Sequence, residues 1–382
     1  MLEMNTDRLT FLIFFLIFSA FLWLSCEPKE HKTPFSATPY TLQIPRFFPT
    51  HLNIPDDNPL TVEGIELGRH LFYDERLCGY LGENPDLMMG CATCHVQANN
   101  FDVGMDNPRF PDGKTFGLSG APTLHNTMPL MNLTFNNEGY LWNGLVHESN
   151  PNLRQKKMED IVLMAITAPH ELNSTPERTV SALKQNPKYP TLFKKAFGTE
   201  EITIERVQKA IAQFVRTLVS GNSKFDRYLR REEQLTDSEM RGYILFSTEE
   251  GADCFHCHGG SGTPLFTTNL FYNNALTNNF DDPNDRFAVT KNTQDIGAYR
   301  APSLRNIMVS PPYMHDGRFK TIDEVLDFYN FGLQYSAHVH PLMHKLEQGG
   351  AYLMPLQIAD LKAFLNTLTD NEFLTNPNFS KP

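Results

Sequence analysis

The sequence predicts a mostly α-helical protein built as two tandem modules, with long loops and little β-structure. Three observations lead to that fold class. Apolar residues recur at helical spacing in seven separate stretches. Convincing two-residue alternation is scarce. A set of short motifs, led by the pentapeptide Cys-x-x-Cys-His, occurs twice in the same order, at Cys91-Ala92-Thr93-Cys94-His95 and at Cys254-Phe255-His256-Cys257-His258.

Taken from the N-terminus, Phe11–Leu24 is an apolar run of 14 residues. That length is short for a membrane span and suits the core of a signal peptide. It ends at Leu24-Ser25-Cys26, which resembles a bacterial lipoprotein cleavage site, although Trp23 replaces the usual aliphatic residue and Arg8 is the only positive charge ahead of the run. Residues 1–25 are therefore expected to be a lipoprotein-type signal peptide and Cys26 the lipidated residue, which places the chain in the periplasm on a lipid anchor. Residues 26–50, rich in Pro, Lys, Thr and Ser, read as a tether. Helical patterns follow at Val62–Asp74, Met158–Thr167, Pro176–Gln185, Ile204–Ser220, Thr236–Ser247, Thr321–Tyr329 and Pro355–Leu368. Ser174 or Thr175 would cap the third, and Thr236 with Glu239 the fifth.

The internal repeat divides the remainder. Gly68-x-x-Leu71-Phe72 and Gly242-x-x-Leu245-Phe246 precede the two pentapeptides. Ala121-Pro122-Thr123-Leu124-His125-Asn126 pairs with Ala301-Pro302-Ser303-Leu304-Arg305-Asn306, and Trp142-Asn143-Gly144 with His315-Asp316-Gly317. The charged stretch Gly221–Gln234 marks the join, giving modules at 51–228 and 229–382.

Cys-x-x-Cys-His is the attachment pattern of a c-type haem, with two thioethers to the vinyl groups and the His as proximal iron ligand. A bare Cys-x-x-Cys also suits a redox disulfide or half a zinc site. Two copies with the same flanking motifs favour two covalent haems, bound through Cys91, Cys94 and His95 and through Cys254, Cys257 and His258. Each module is then a cytochrome c-like haem domain. Of six cysteines, only Cys78 is left outside these motifs and the leader; it reads as a buried thiol. A formal charge of −11 argues against a nucleic-acid partner.

The order of these motifs, together with Leu67-Gly68-Arg69, Leu141-Trp142-Asn143-Gly144, Phe225-Asp226-Arg227-Tyr228 and Pro312-Tyr313-Met314-His315-Asp316-Gly317, resembles the bacterial di-haem cytochrome c peroxidase and MauG family over residues 50–370. The resemblance implies that hydrogen peroxide is handled at the haem of His95. Electrons would enter at the haem of His258 from a small cytochrome c or cupredoxin. Many members of the family place a distal His in the loop after the first pentapeptide, but none occurs between Val96 and Gly120, so the first haem is expected to keep an open iron position; Met105 is the other residue there able to ligate. Glu171, in Ala168-Pro169-His170-Glu171, takes the place of the catalytic acid, with His170 as the alternative shuttle and a water-facing helix-terminal Glu as the plain reading. The Gln that often precedes this acid is absent, and Asp160 or Ile161 stands there. Trp142 takes the place of the electron relay between the haems, against the reading of a packing residue.

Tyr329 is the residue matching the sixth ligand of the second haem, where peroxidases usually carry Met and MauG carries Tyr. Met343, Met354, His338, His340 and His344 compete with it, and a Tyr in such a helix is ordinarily core. The family also holds a calcium ion on carbonyls matching Ser310 and Pro312, but its Asn position reads Gly120, which argues against calcium here. The rival activities are MauG-like oxidation of a partner protein's residues and a non-catalytic di-haem electron carrier. A homodimer is compatible with the resemblance.

Overall fold

Glycine pins the two principal helix crossings of the molecule. A computed structural model describes residues 35–82, 84–146, 157–260 and 262–382. The expected signal peptide and Cys26 lie outside the described residues. Thirteen α-helices are seen among the described residues: α1 (Val62–Phe72), α2 (Cys91–Cys94), α3 (Met158–Thr167), α4 (Pro176–Lys184), α5 (Tyr189–Phe197), α6 (Ile204–Arg216), α7 (Lys224–Leu229), α8 (Asp237–Phe246), α9 (Phe255–His258), α10 (Arg286–Thr290), α11 (Ile322–Phe331), α12 (Pro355–Asn366) and α13 (Asn371–Thr375). One antiparallel pair, β1 (Phe271–Tyr272) with β2 (Tyr299–Arg300), is the only sheet there. No helix among the described residues is long and apolar enough to cross a membrane.

Local chemistry sets the helix ends. The Thr175 hydroxyl accepts from the Arg178 amide, so Thr175 rather than Ser174 caps α4. Thr236 and Glu239 cap α8 reciprocally, as do Thr321 and Glu324 for α11. The fourth expected helix stops at Arg216 instead of Ser220, because Ser220 leaves the helix to bond Asn132 and Asp370.

Gly68 of α1 lies against α6, and Gly242 of α8 lies against α12. A Cβ on Gly68 would overlap the Ala210 carbonyl oxygen and crowd Phe214; one on Gly242 would overlap the Asp360 carbonyl oxygen and crowd Phe364. The motif Gly-x-x-Leu-Phe is thus a packing device repeated in both halves. At an open helical site Gly→Ala would add about 1 kcal/mol of stability. Here Gly68→Ala and Gly242→Ala are each expected to cost about 1–3 kcal/mol through overpacking, read as a lower denaturant midpoint.

Two main clusters of buried apolar side chains form around these crossings. The first draws on α1, α6 and intervening segments, with Leu67, Phe72, Phe101, Phe193 and Phe214 fully buried, and is joined by Phe373 and Leu374 near the C-terminus. The second holds Phe225, Phe246, Phe266 and Phe364. Residues 37–382 nevertheless make one compact unit. The described end of the expected tether packs on this unit: the Tyr40 amide donates to the Leu60 carbonyl, and Phe48 is buried under the Arg305 guanidinium, 4.7 Å from its ring centre.

The halves repeat in a register that differs from the one read from sequence. Asn132 and Asn306 both adopt the left-handed region (φ 60° and 57°) and each starts a 3-10 turn. Tyr140 then bridges Val146, and Tyr313 bridges Phe319. Asn132, not Asn126, is therefore the counterpart of Asn306. Ala121–Asn126 mimics Ala301–Asn306 in residue type, but Asn126 serves another purpose: its backbone amide donates to the His315 carbonyl and its side-chain amide to the Pro312 carbonyl. The Asn126 side chain thus reaches Pro312, one of the two carbonyls named above, as a hydrogen-bond donor.

Buried ion pairs lock the periphery to each core. Arg216 meets Glu159 through two bonds of 2.6 and 3.0 Å. Arg305 meets Asp226 through bonds of 2.8 and 2.5 Å and donates from Nε to the Pro264 carbonyl. The Phe225-Asp226 and Leu304-Arg305 motifs are two ends of one structural contact.

Candidate functional site

Each pentapeptide forms one helical turn. The His95 amide bonds the Cys91 carbonyl, and the His258 amide bonds the Cys254 carbonyl, at 3.0 and 3.1 Å. Three-residue spacing on that turn places both thiols of each pair on one face. Burial pushes all four thiols up to about 12, and the Glu171 charge adds to this at Cys91 and Cys94.

The two histidines are prepared as neutral ligands. Nδ1 of His95 donates to the Phe101 carbonyl at 2.7 Å, and Nδ1 of His258 to the Pro302 carbonyl at 3.1 Å. A carbonyl can only accept, so each Nδ1 carries the proton and each Nε2 keeps its lone pair for a metal. Burial holds both imidazoles down to about 4, against the opposing pull of those carbonyls.

A cavity with an empty volume of about 1600 Å³, including its open mouth, faces the second pentapeptide. Cys254, Cys257 and His258 form one wall; Ile322, Val325, Leu326 and Tyr329 of α11 form another. The lining includes buried Arg300, which donates to Asn269 at 3.0 Å while its Nε has no hydrogen-bond partner. Burial lowers that guanidinium to about 10. An apolar slot with a buried, incompletely bonded guanidinium fits a flat macrocycle bearing carboxylates, which is what a haem with its propionates presents.

Tyr329 points its hydroxyl at Asn274, whose side-chain amide donates to it at 2.9 Å. Burial raises the phenol, and the Cys257 and Cys254 charges add to this, placing Tyr329 near the attachment thiols. Of its competitors, Met343 and His344 also line the cavity, whereas Met354, His338 and His340 do not. His344 is engaged with Asp253 at 3.3 Å, His340 packs on Tyr272, and His338 packs on Phe280.

Glu171 lies in the tight turn after α3. Its amide bonds the Ala168 carbonyl, and its own carbonyl accepts from the Leu118 amide. Gly117 has to be glycine there, since a Cβ would run into the His170–Glu171 peptide. Burial raises the Glu171 carboxyl to about 7. Its electrostatic effect on Cys91 and Cys94 puts it beside the first pentapeptide. Burial depresses His170. Asp160 is spent at the start of α3, where it accepts from the Lys157 amide, and Ile161 packs on the first core.

Trp142 is buried, and its indole N–H donates to the Asn126 carbonyl at 2.9 Å. It meets His315 edge-on, with ring centres 6.5 Å apart. His315 stacks on Tyr299 at 3.6 Å, and the Tyr299 hydroxyl donates to Asp282 at 2.6 Å. Asp282 also holds His125 at 2.8 Å. This aromatic ladder was missed at the sequence level except for Trp142, because its members come from three distant segments. Asp102 was missed too: it is buried, lines the second cavity, and is pushed well upward by burial. Cys78 is buried, with its thiol 3.0 Å from the Glu75 carbonyl, as expected.

Comparison with known proteins agrees with this architecture. Residues 62–234 match the family model described as di-haem cytochrome c peroxidase. The chain is 33% identical to methylamine utilization protein MauG of Methylorubrum extorquens over 82% of its length and 80% of that protein's. It is 30% identical to cytochrome c551 peroxidase of Nitrosomonas europaea, covering 85% of this chain and 84% of the relative. A crystal structure of a MauG-like protein associated with microbial copper homeostasis superposes with a TM-score of 0.74 at 32% identity, over 90% of this chain and 99% of that one. The chain belongs to the di-haem cytochrome c peroxidase and MauG family and is a peroxidase-like oxidoreductase.

Proposed function

We propose that the chain is a di-haem c-type peroxidase that reduces hydrogen peroxide with electrons from a small redox protein, a cytochrome c or a cupredoxin. The observation carrying this reading is Glu171, a carboxyl raised to about 7 beside a first attachment site whose following loop contains no His. Cys91 and Cys94 would hold one haem with His95 as its ligand, and Cys254 and Cys257 the other with His258. The haems, when bound, supply the iron at which peroxide is reduced and the means of storing electrons. Glu171 takes the proton from one peroxide oxygen and returns it to the other, a shuttle that works best near its own pKa. Trp142, which lines the cavity at the second attachment site, would serve as the electron relay between the haems. Tyr329, oriented by Asn274 and lining the same cavity as His258, would be the further residue holding the second haem.

In this reading residues 51–228 and 229–382 are the peroxidatic and electron-transfer modules. The protein works in the periplasm, held by lipid at Cys26. Steady-state peroxide consumption with reduced cytochrome c or a cupredoxin tests the proposal. Turnover that depends on the donor supports it, and donor oxidation that ignores peroxide would leave only an electron carrier. Trp142→Phe is expected to slow donor-dependent turnover at least tenfold while leaving haem content unchanged by absorbance.

The Trp142–His315–Tyr299 ladder favours a second reading, MauG-like oxidation of a partner protein. Tyr299 can lose an electron toward Trp142 as its proton passes to Asp282. Peroxide-driven mass changes in a bound partner that vanish in Tyr299→Phe would select this reading over the first.

A further inference from the structure

We propose that Glu249, His256 and His344 form a binding site for one divalent transition-metal cation of the zinc and copper class, at the rim of the second attachment site. One ligand atom from each residue can be chosen so that all three lie within 4.8 Å of one another. They come from the loop after α8, from α9 and from the loop before α12, so only the fold brings them together. His256 is the second variable residue of Cys254-x-x-Cys257, and the haem chemistry of that motif makes no use of it.

The chemistry of the cluster asks for a cation. Nδ1 of His256 is 2.6 Å from Oδ1 of Asp253, whose side chain is only 4% exposed. A carboxylate accepts, so Nδ1 carries a proton, and Nε2 is the ring nitrogen left to face a cation. That nitrogen faces Oε1 of Glu249 at 3.4 Å. Two acceptors at this distance need a proton or a metal ion between them. Bonds of about 2.0–2.2 Å in a tetrahedral zinc site place ligand atoms roughly 3.4 Å apart, so this pair already has the required separation. His344 supplies the third ligand. Its ring meets His256 at 4.8 Å and its side chain is 41% exposed, so the Nε2 not turned to Asp253 can close on an ion.

Asp253 completes the arrangement as the buried carboxylate behind the imidazoles. It fixes the His256 tautomer and lies 3.3 Å from Nδ1 of His344, the supporting role that such carboxylates play in zinc sites. Its backbone sits in the left-handed region (φ 57°) directly before Cys254, so the attachment turn itself sets its direction. Two imidazoles and a carboxylate with room for water suit Zn²⁺ or Cu²⁺ and disfavour Mg²⁺ and Ca²⁺. Asp253 and His344 also line the cavity that holds His258, so the ion would add positive charge at its edge.

Titration of the haem-loaded protein with ZnCl₂ by calorimetry tests the site, with Cu²⁺ binding followed by electron paramagnetic resonance. One equivalent is expected to bind, with nitrogen couplings from two imidazoles in the copper spectrum. His344→Ala and Glu249→Gln change exposed side chains and should each weaken binding at least tenfold, whereas Glu250→Gln should leave it unaltered. Absence of stoichiometric binding, or binding of equal affinity in wild type and both variants, would overturn the proposal.

Discussion

Glu171→Gln is expected to lower peroxide consumption by about 10²–10⁴-fold while both haems remain attached. The amide keeps the size and most of the packing of the carboxyl but cannot carry a proton between two oxygens. Its position also gives the reaction a defined pH dependence. Burial raises the carboxyl to about 7, and the group must be ionised to accept the first proton. The rate of the peroxide step should therefore rise with pH up to about 7 and level off above it, falling about tenfold per unit well below that value. In Glu171→Gln this limb disappears. Stopped-flow measurement across pH 5–9 checks both effects. A variant that kept wild-type rates and the same profile would remove Glu171 from the chemistry and leave the depressed His170 as the shuttle to examine.

Arg305→Ala is expected to destabilise the protein by about 3–5 kcal/mol, the cost of leaving one member of a buried pair without its partner. Arg305 is fully buried and satisfies both oxygens of Asp226. Burial works against the charge on Asp226, but the bonds from Arg305 prevail and its pKa is lowered. The sign for pH follows. A depressed carboxylate contributes stability that is complete above its unfolded value, near 3.9, and is lost as pH falls through the lower folded value. Denaturant unfolding should show the Arg305→Ala loss at pH 7 and a smaller difference in strong acid. A double replacement, Arg305→Met with Asp226→Leu, should recover much of the loss, because an apolar pair needs no compensation for buried charge.

The helices that carry strong periodicity and clear caps were legible in the sequence. Met158–Thr167 forms within the expected limits, and Thr175, Thr236 and Thr321 cap as their side chains allow. Tyr189–Phe197 was not anticipated. Pro190 reads as an interruption, but it occupies the first turn of α5, where the missing amide hydrogen costs nothing. The repeat was visible as a set of motifs, yet its register was not. Ala121-Pro122-Thr123-Leu124 resembles Ala301-Pro302-Ser303-Leu304 in residue type, while the backbone pairs Asn132 with Asn306 through their shared left-handed turns.

At the site, pentapeptide chemistry pointed to the proposed attachment residues, and family resemblance to Glu171, Trp142 and Tyr329. What local sequence could not reveal is contact between distant segments. The stack of Tyr299 on His315, the grip of Asp282 on Tyr299 and His125, and the meeting of Glu249, His256 and His344 all depend on loops whose paths are set by the two cores. Asp226 and Arg305 show the converse. Both stand in motifs suggestive of function, and the structure makes them a buried brace.

In the proposed mechanism the two attachment sites are unequal: the haem held by His95 would be open to peroxide beside Glu171, and the haem held by His258 would also be held by Tyr329. Electron paramagnetic resonance of the resting ferric protein tests it most directly. The account predicts one high-spin haem and one low-spin haem, with no methionine–iron charge-transfer band in the accompanying near-infrared spectrum. Two low-spin haems with that band present would contradict it.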